Sequence, residues 1–381
     1  MLKTFKVKNY KNFQDEVVLN FGDVGGYKFS NDCITDNVIS KMIIYGKNAT
    51  GKTNLGKAIL DITTNFRDML FWGDMDSSYA NADTSDKEVK FLYEFWLDGK
   101  SLIYEYIKYS SARIKYEKLS IDGCCIFELD FEKKEFDFAH LDIVGAESVN
   151  YAKYTTVLFN QQDDIERRTL PFVRWLIGNT ALNSDNILFK LSDYVDRMTM
   201  ISVGSFLNFG KYQYDNFYQF LADNDKLKDF EDFLNKMGIV CKLLLEKMPD
   251  GSYQLYFRHE NGLLSFVRNA SSGTLALVRL YQRLASVNKA SFMYMDEFDA
   301  FYNYELSENV VKVLMERYPE CQIVMTSHNT NLMTNRIMRP DCLFILSKYG
   351  LTPLSKATER ELREGHNLEK MYIGGEFRKY E

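Results

Sequence analysis

The chain has 381 residues, is 46% hydrophobic and 15% aromatic, and carries a net charge of −6. That composition excludes a disordered chain, and the acidic balance removes the overall basic excess of a dedicated nucleic-acid binder, leaving nucleic acid open only through a local patch. Six cysteines (Cys33, Cys124, Cys125, Cys241, Cys321, Cys342) show no CxxC spacing and there are four histidines, so neither a zinc site nor a disulfide framework is expected.

The first residues, MLKTFKVKNYKNF, lack an apolar leader region, and no run of about 18 apolar residues follows anywhere. The expectation is a cytoplasmic protein with reduced thiols, neither secreted nor membrane-spanning. Residues 1–20 alternate as a short strand pair, with Lys6 and Lys8 on one solvated face and Lys3 and Lys11 adding to a basic surface. The apolar run Met42–Tyr45 reads as a buried strand ending at a glycine, and a helix is predicted from about Thr53, with Leu55, Ile59 and Ile62 near one face.

Between that strand and helix stands Gly46-Lys47-Asn48-Ala49-Thr50-Gly51-Lys52-Thr53, a full match to the phosphate-loop pattern in the required context. Its glycines let successive backbone N–H groups and the helix N-terminus face an anionic phosphate. Lys52 is expected to bind the β- and γ-phosphates, Thr53 to supply a Mg²⁺ ligand, and Asn54 to complete the nucleotide contacts. The cofactors predicted are ATP and Mg²⁺.

Residues 88–137 read as an antiparallel sheet with turns at Asp98-Gly99 and Asp122-Gly123. Gln161 and Gln162, in LFNQQDD after what reads as a strand, are candidates for a loop that senses Mg²⁺, with Gln161 the candidate ligand. Residues 166–240 have a helical texture, and hairpins return from Cys241 with turns at Asp250-Gly251 and Asn261-Gly262. The predicted organisation is a lobe over 1–165, a helical insert over 166–240 and a second lobe over 241–381. No low-complexity linker or long heptad run separates them.

Ser271-Ser272-Gly273-Thr274 opens a predicted amphipathic helix, which an ordinary helix cap would also explain. Next, Ser291–Glu297 is an apolar strand ending in two acids, a pattern that buried strands tolerate where the carboxylates bind something. Asp296 is the expected Mg²⁺ residue, and Glu297 is expected to orient and polarise an attacking water. Ile323–Met325 begins another buried strand, whose polar end carries Thr326, Ser327 and His328.

In that order, VKNYKNF, the phosphate loop, SSGT, MDEFD and TSH resemble the overcoming-lysogenization-defect, RecF and SMC side of the ABC superfamily. The tail RELREGHNLEKMYIGGEF looks like the ending of stand-alone AAA-labelled ATP-binding proteins of bacterial abortive-infection and restriction-linked operons. The resemblance implies an α/β P-loop ATPase head with a mixed central sheet, an antiparallel β subdomain and a helical insert. It implies that Ser271 and Gly273 belong to a degenerate signature helix facing the γ-phosphate held by a second copy, and that His328 is the switch histidine. It places Asp299 in the loop at the dimer interface and nominates Lys11 as a basic residue reaching the nucleotide.

Departures from the family pattern are the missing first signature glycine and AFYNYE after the acids, which bear on hydrolysis rate and interface geometry. The stretch after His328 is too short for the nuclease domain many relatives append, so an effector such as a nuclease is expected on another polypeptide. The expected function is an ATP-hydrolysing switch that forms a homodimer, or a higher oligomer, around ATP and controls that effector in anti-phage defence. The alternative is a DNA-repair or recombination ATPase binding DNA directly. A transporter subunit is disfavoured by the short insert and KNYKNF, and a P-loop kinase or small GTPase leaves SSGT, MDE and TSH unexplained.

Overall fold

The computed structural model describes residues 1–67, 79–160, 169–202, 211–287 and 289–380. The chain opens with strands β1 (Leu2–Lys8) and β2 (Val17–Asn20), a small hairpin of β3 (Ile34–Thr35) and β4 (Val38–Ile39), then β5 (Lys41–Tyr45), α1 (Lys52–Leu60) and α2 (Thr63–Phe66). A meander follows: β6 (Val89–Leu97), β7 (Lys100–Lys108), β8 (Ile114–Ile121), β9 (Cys124–Asp130) and β10 (Glu135–Asp137). With β1 and β2 it makes a seven-stranded antiparallel sheet in the order β10-β9-β8-β7-β6-β1-β2. The turn between β6 and β7 has Asp98 at φ 51° and Gly99 at φ 73°. Two successive left-handed residues match the right-handed twist of the flanking strands, which is why the Asp-Gly dipeptide marks the hairpin.

The chain continues through α3 (Tyr151–Asn160), α4 (Phe172–Asn179), α5 (Ile187–Asp196), β11 (Met198–Ser202), α6 (Lys211–Asp223) and α7 (Leu227–Lys236). Strands β12 (Leu243–Lys247), β13 (Tyr253–His259) and β14 (Gly262–Ser265) form a separate three-stranded antiparallel sheet. Then come α8 (Phe266–Asn269), α9 (Ser272–Ser286), β15 (Phe292–Asp296), α10 (Tyr304–Arg317), β16 (Gln322–Ser327), β17 (Leu343–Ser347), β18 (Gly350–Pro353) and α11 (Leu368–Ile373).

The second large sheet has the order β11-β15-β16-β5-β17-β18, parallel throughout except for the antiparallel edge strand β18. Every residue of β5, β15, β16 and β17 is buried, as parallel strands covered on both faces must be. The expected α/β architecture with a mixed central sheet, an antiparallel subdomain and helices inserted between strands is the one observed. Among the described residues no helix is long and apolar enough to cross a membrane.

Helix α1 lies between the two large sheets. Tyr93 of β6 donates its hydroxyl to the Ala58 carbonyl at 2.8 Å, and the Tyr294 ring of β15 fills the space beside Gly56, where an added Cβ would lie 2.4 Å from Cδ1. At the end of α1, Asp61 accepts from Tyr79, from Tyr106 and from the ammonium of Lys108 at 2.6 Å, an ion pair almost wholly removed from solvent. Such a pair is tolerable only with its remaining hydrogen-bonding capacity met, and Lys108 also donates to Thr64 at 2.7 Å.

A buried carboxylate also starts the helical region. Pro171 at the N-cap of α4 has no side-chain acceptor to offer, and Glu117 of β8 takes that role, accepting from Phe172 N at 2.6 Å and Val173 N at 3.0 Å. Tyr104 donates to the same carboxylate at 2.9 Å. Burial pushes Glu117 up to about 7, with these three hydrogen bonds and Lys108 opposing the rise.

Two local expectations are corrected. The segment before Gln161 is not a strand but α3: Tyr154 and Leu158, four residues apart, are both buried, and Tyr154 donates to the Leu170 carbonyl at 2.7 Å. The helical texture over 166–240 contains strand β11, which pairs in parallel with β15 from Met198↔Phe292 to Ser202↔Asp296. The five residues MTMIS are too few for periodicity to separate strand from helix.

Candidate functional site

The loops that follow β5, β15 and β16 leave the same, C-terminal, edge of the parallel sheet, where open α/β sheets place their ligands. After β5 the chain turns through Ala49 at φ 65° and Gly51 at φ 99° before entering α1. Both ends of the loop are fixed by close approach. A Cβ at Gly46 would lie 2.6 Å from the Leu346 carbonyl of β17, and one at Gly51 would lie 2.2 Å from Nδ2 of Asn12. The Asn12 carboxamide occupies that space, donating to the Thr50 carbonyl at 3.1 Å and accepting from Asn54 at 2.7 Å. Lys52 folds over the loop, its Nζ 2.8 Å from the Gly46 carbonyl and 3.1 Å from that of Lys47. Burial holds its ammonium below the usual lysine value, with Glu297 and Asp296 acting against the shift.

Thr53, in the first turn of α1, donates its hydroxyl to Oδ2 of Asp296 at the end of β15, at 2.7 Å. The other oxygen, Oδ1, accepts from Thr326 of β16 at 2.9 Å. Glu297 follows at φ 51°, in the left-handed region that non-glycine residues rarely enter, and its N–H donates to Thr326 Oγ1 at 2.8 Å. Backbone strain of this kind concentrates at functional sites. One residue beyond β16, His328 faces the same hollow. Burial lowers its imidazole below the ordinary histidine value and nearby Lys52 adds to the effect, while Glu297, Asp299 and Asp296 oppose it. That shift favours the neutral form of the ring, which can both accept and donate a hydrogen bond.

Asn48, Ala49, Gly51, Lys52, Thr53, Asn54, Glu297 and His328 line one hollow of about 290 Å³. A neighbouring hollow of about 440 Å³ shares Asn48, Glu297 and His328 and adds Asp299, Tyr302 and Asn329. Asp299 is buried, and its carboxyl is raised by that burial against the hydrogen bond from Ser327 at 2.6 Å.

Lys11, Ser271 and Gly273 line neither of these hollows. Lys11 and Lys57 line an adjoining hollow of about 450 Å³ that shares Asn12 and Asn54 with the first. Ser271 and Gly273 sit at the N-terminus of α9, where Ser271 accepts from Thr274 N at 3.1 Å and a Cβ at Gly273 would lie 3.6 Å from the Phe301 carbonyl. Gln161 and Gln162 lie outside the described residues. Asn12 and Thr326 are the site residues that the sequence pattern missed. Asn12 was legible only as part of KNYKNF, and a buried strand threonine carries no signal of its own.

A family model described as "AAA domain, putative AbiEii toxin, Type IV TA system" matches residues 41–334, well over half of the chain. The chain belongs to this AAA family. The match begins at the first residue of β5 and takes in the phosphate loop, Asp296, Glu297 and His328, so this AAA protein is an ATP-binding module. No curated protein matches it. Among solved structures it is similar to an SMC head bound to the C-winged helix domain of ScpA, with 13% identity, 92% of this chain and 96% of that one covered, and a TM-score of 0.46. It is also similar to the SMC head domain from Thermotoga maritima, with 15% identity, 92% and 98% covered, and a TM-score of 0.44. A third is the Smc head with an extended coiled coil bound to the C-terminal domain of ScpA derived from Pyrococcus furiosus, with 15% identity, 99% of each chain covered, and a TM-score of 0.42.

The residues present fit a magnesium nucleotide. Among the described residues no group of three or more His, Cys, Asp or Glu could hold a metal ion by itself. Mg²⁺ in phosphate-loop sites needs no such cage, because one hydroxyl, one carboxylate, waters and the phosphates supply hard oxygen ligands. Thr53 and Asp296, already in contact, offer one such hydroxyl and one such carboxylate.

Proposed function

We propose that this AAA protein hydrolyses ATP and works as a nucleotide-dependent switch. The observation that carries this reading is the hydrogen bond between Thr53 and Asp296 beside a hollow lined by Lys52, Glu297 and His328. The phosphate loop would hold the triphosphate on backbone N–H groups and the Lys52 ammonium. Thr53 and Asp296 would hold Mg²⁺, which when bound supplies charge neutralisation to the β- and γ-phosphate oxygens. Glu297 would orient a water and take up its proton as the water attacks the γ-phosphate, and neutral His328 would hydrogen-bond the γ-phosphate or that water. Release of inorganic phosphate by the unmodified protein, reduced at least about 100-fold in Glu297→Gln, is the expected result; equal release from both would refute hydrolysis at this site.

The switch is proposed to be a homodimer in which the N-terminus of α9 in each copy, with Ser271 and Gly273, meets the γ-phosphate bound by the other. A helix N-terminus carries partial positive charge and unpaired N–H groups suited to a phosphate, and in the monomer this one stands apart from the nucleotide hollow. ATP would then stabilise the closed dimer and hydrolysis would release it, which makes ATP a ligand that discriminates between two states. The family description, with its AbiEii and toxin–antitoxin terms, supports a place in anti-phage defence acting through a separate effector protein.

A further inference from the structure

The end of β16 does more than deliver His328. Thr326 is fully buried, and its hydroxyl is used in both senses: it accepts the Glu297 N–H at 2.8 Å and donates to Asp296 Oδ1 at 2.9 Å. Its carbonyl accepts the Phe298 N–H at 3.2 Å. The next residue repeats the device. Ser327 donates to Asp299 Oδ2 at 2.6 Å and accepts the Asn329 N–H at 2.8 Å. Two adjacent hydroxyls therefore stitch the acidic turn after β15 to the turn that carries His328.

Glu297 needs such a tie. At φ 51° it occupies a conformation that its own side chain disfavours, and the Thr326 hydroxyl holds the N–H of that residue. Asp296 is fixed from both sides, by Thr53 on one oxygen and Thr326 on the other. We infer that Thr326 is a positioning residue for ATP hydrolysis, setting the strained backbone of Glu297 and the orientation of the Asp296 carboxylate relative to His328. It lines neither hollow and acts through Asp296 and Glu297. The inference rests on the hydrolytic reading proposed above.

Thr326→Val keeps the branched shape of the side chain and removes only the hydroxyl, while Thr326→Ser keeps the hydroxyl. ATP affinity without divalent metal, the Mg²⁺ concentration for half-maximal turnover, kcat and KM are measured for both variants, with thermal unfolding as the control on folding. Expected for Thr326→Val are ATP affinity within about twofold of the unmodified protein, a higher Mg²⁺ requirement and kcat lowered at least about tenfold, with Thr326→Ser restored to within about threefold. Turnover and Mg²⁺ dependence unchanged in a folded Thr326→Val would overturn the inference while leaving hydrolysis standing. A fall in ATP affinity equal to the fall in turnover, or no rescue by serine, would also overturn it, since either marks a general packing defect. If the unmodified protein releases no more phosphate than Glu297→Gln, the hydrolytic reading fails, and the positioning role fails with it.

Discussion

Thr53 Oγ1 lies 2.7 Å from Asp296 Oδ2, joining the first turn of α1 to the end of β15 across 243 positions of sequence. The contact brings together a hydroxyl and a carboxylate, the donor types that the proposed magnesium nucleotide would take from the protein. Thr53→Ala and Asp296→Asn should each leave metal-free ATP binding within about threefold and remove most of the gain in affinity that Mg²⁺ brings. Calorimetric titration with and without EDTA measures this. An unchanged Mg²⁺ effect in both variants would show that the metal is held elsewhere.

Two glycines should respond to the same substitution with opposite sign. Alanine at Gly56 would drive its Cβ to 2.4 Å from the ring of buried Tyr294, so Gly56→Ala should destabilise the protein by about 1–3 kcal/mol through overpacking. Gly178, exposed in α4, has nothing within 4 Å of the added atom, and Gly178→Ala should stabilise by about 0.5–1 kcal/mol through helix propensity. Denaturant unfolding of the two variants checks the pair.

Glu117 gives the protein a pH-dependent element that lines neither hollow beside the phosphate loop. Its folded carboxyl, raised by burial to about 7, takes up a proton at higher pH than the unfolded chain does. The resulting contribution to stability is full below the ordinary glutamate value and is lost as pH rises through about 7. The groups facing it are Tyr104, Tyr154 and Lys108, with the N–H groups of Phe172 and Val173. Glu117→Gln should lower stability, because one of the bonded donors would then meet an amide NH₂. It should also flatten the decline in stability between roughly pH 5 and pH 7.5. Unfolding free energies across that range test both parts, and an unaltered slope would contradict the assignment.

The parts of this molecule that were legible in sequence are those where a local conformation dictates residue type. Asp98-Gly99 reads as a hairpin because both residues must adopt positive φ, and Gly46 and Gly51 read as a phosphate loop because a Cβ at either meets backbone or the Asn12 amide. The short apolar runs of β5, β15 and β16, bounded by polar residues, were readable as buried strands.

What sequence withheld was long-range. YAKYTTVLFN is rich in aromatic and β-branched residues and reads as a strand, yet the burial of Tyr154 and Leu158 on one face makes it α3. Propensity gave way there to tertiary packing. Nothing in residues 171–173 announces that the acceptor for their N–H groups is Glu117, and nothing in the sequence of β16 distinguishes the Thr326 hydroxyl from that of any buried strand threonine. Both depend on which strand lies beside which, and hydrophobic pattern alone does not encode strand order.

The proposed dimer stands on α9, and Gly273 isolates it from the monomer fold. A Cβ there would make ordinary contact with the Phe301 carbonyl at 3.6 Å and Ser271 Oγ at 3.8 Å, and an acidic residue in the first turn of a helix suits the helix dipole. Gly273→Asp should therefore fold normally and bind ATP in its own phosphate loop, while setting a negative charge against the partner's γ-phosphate. The direct measurement is the molar mass by light scattering, with Mg²⁺ and ATP, of Glu297→Gln and of Glu297→Gln combined with Gly273→Asp. The account predicts a dimer for the first and an ATP-bound monomer for the second; a Glu297→Gln protein that binds ATP yet stays monomeric, or a double variant that still dimerises, would contradict it.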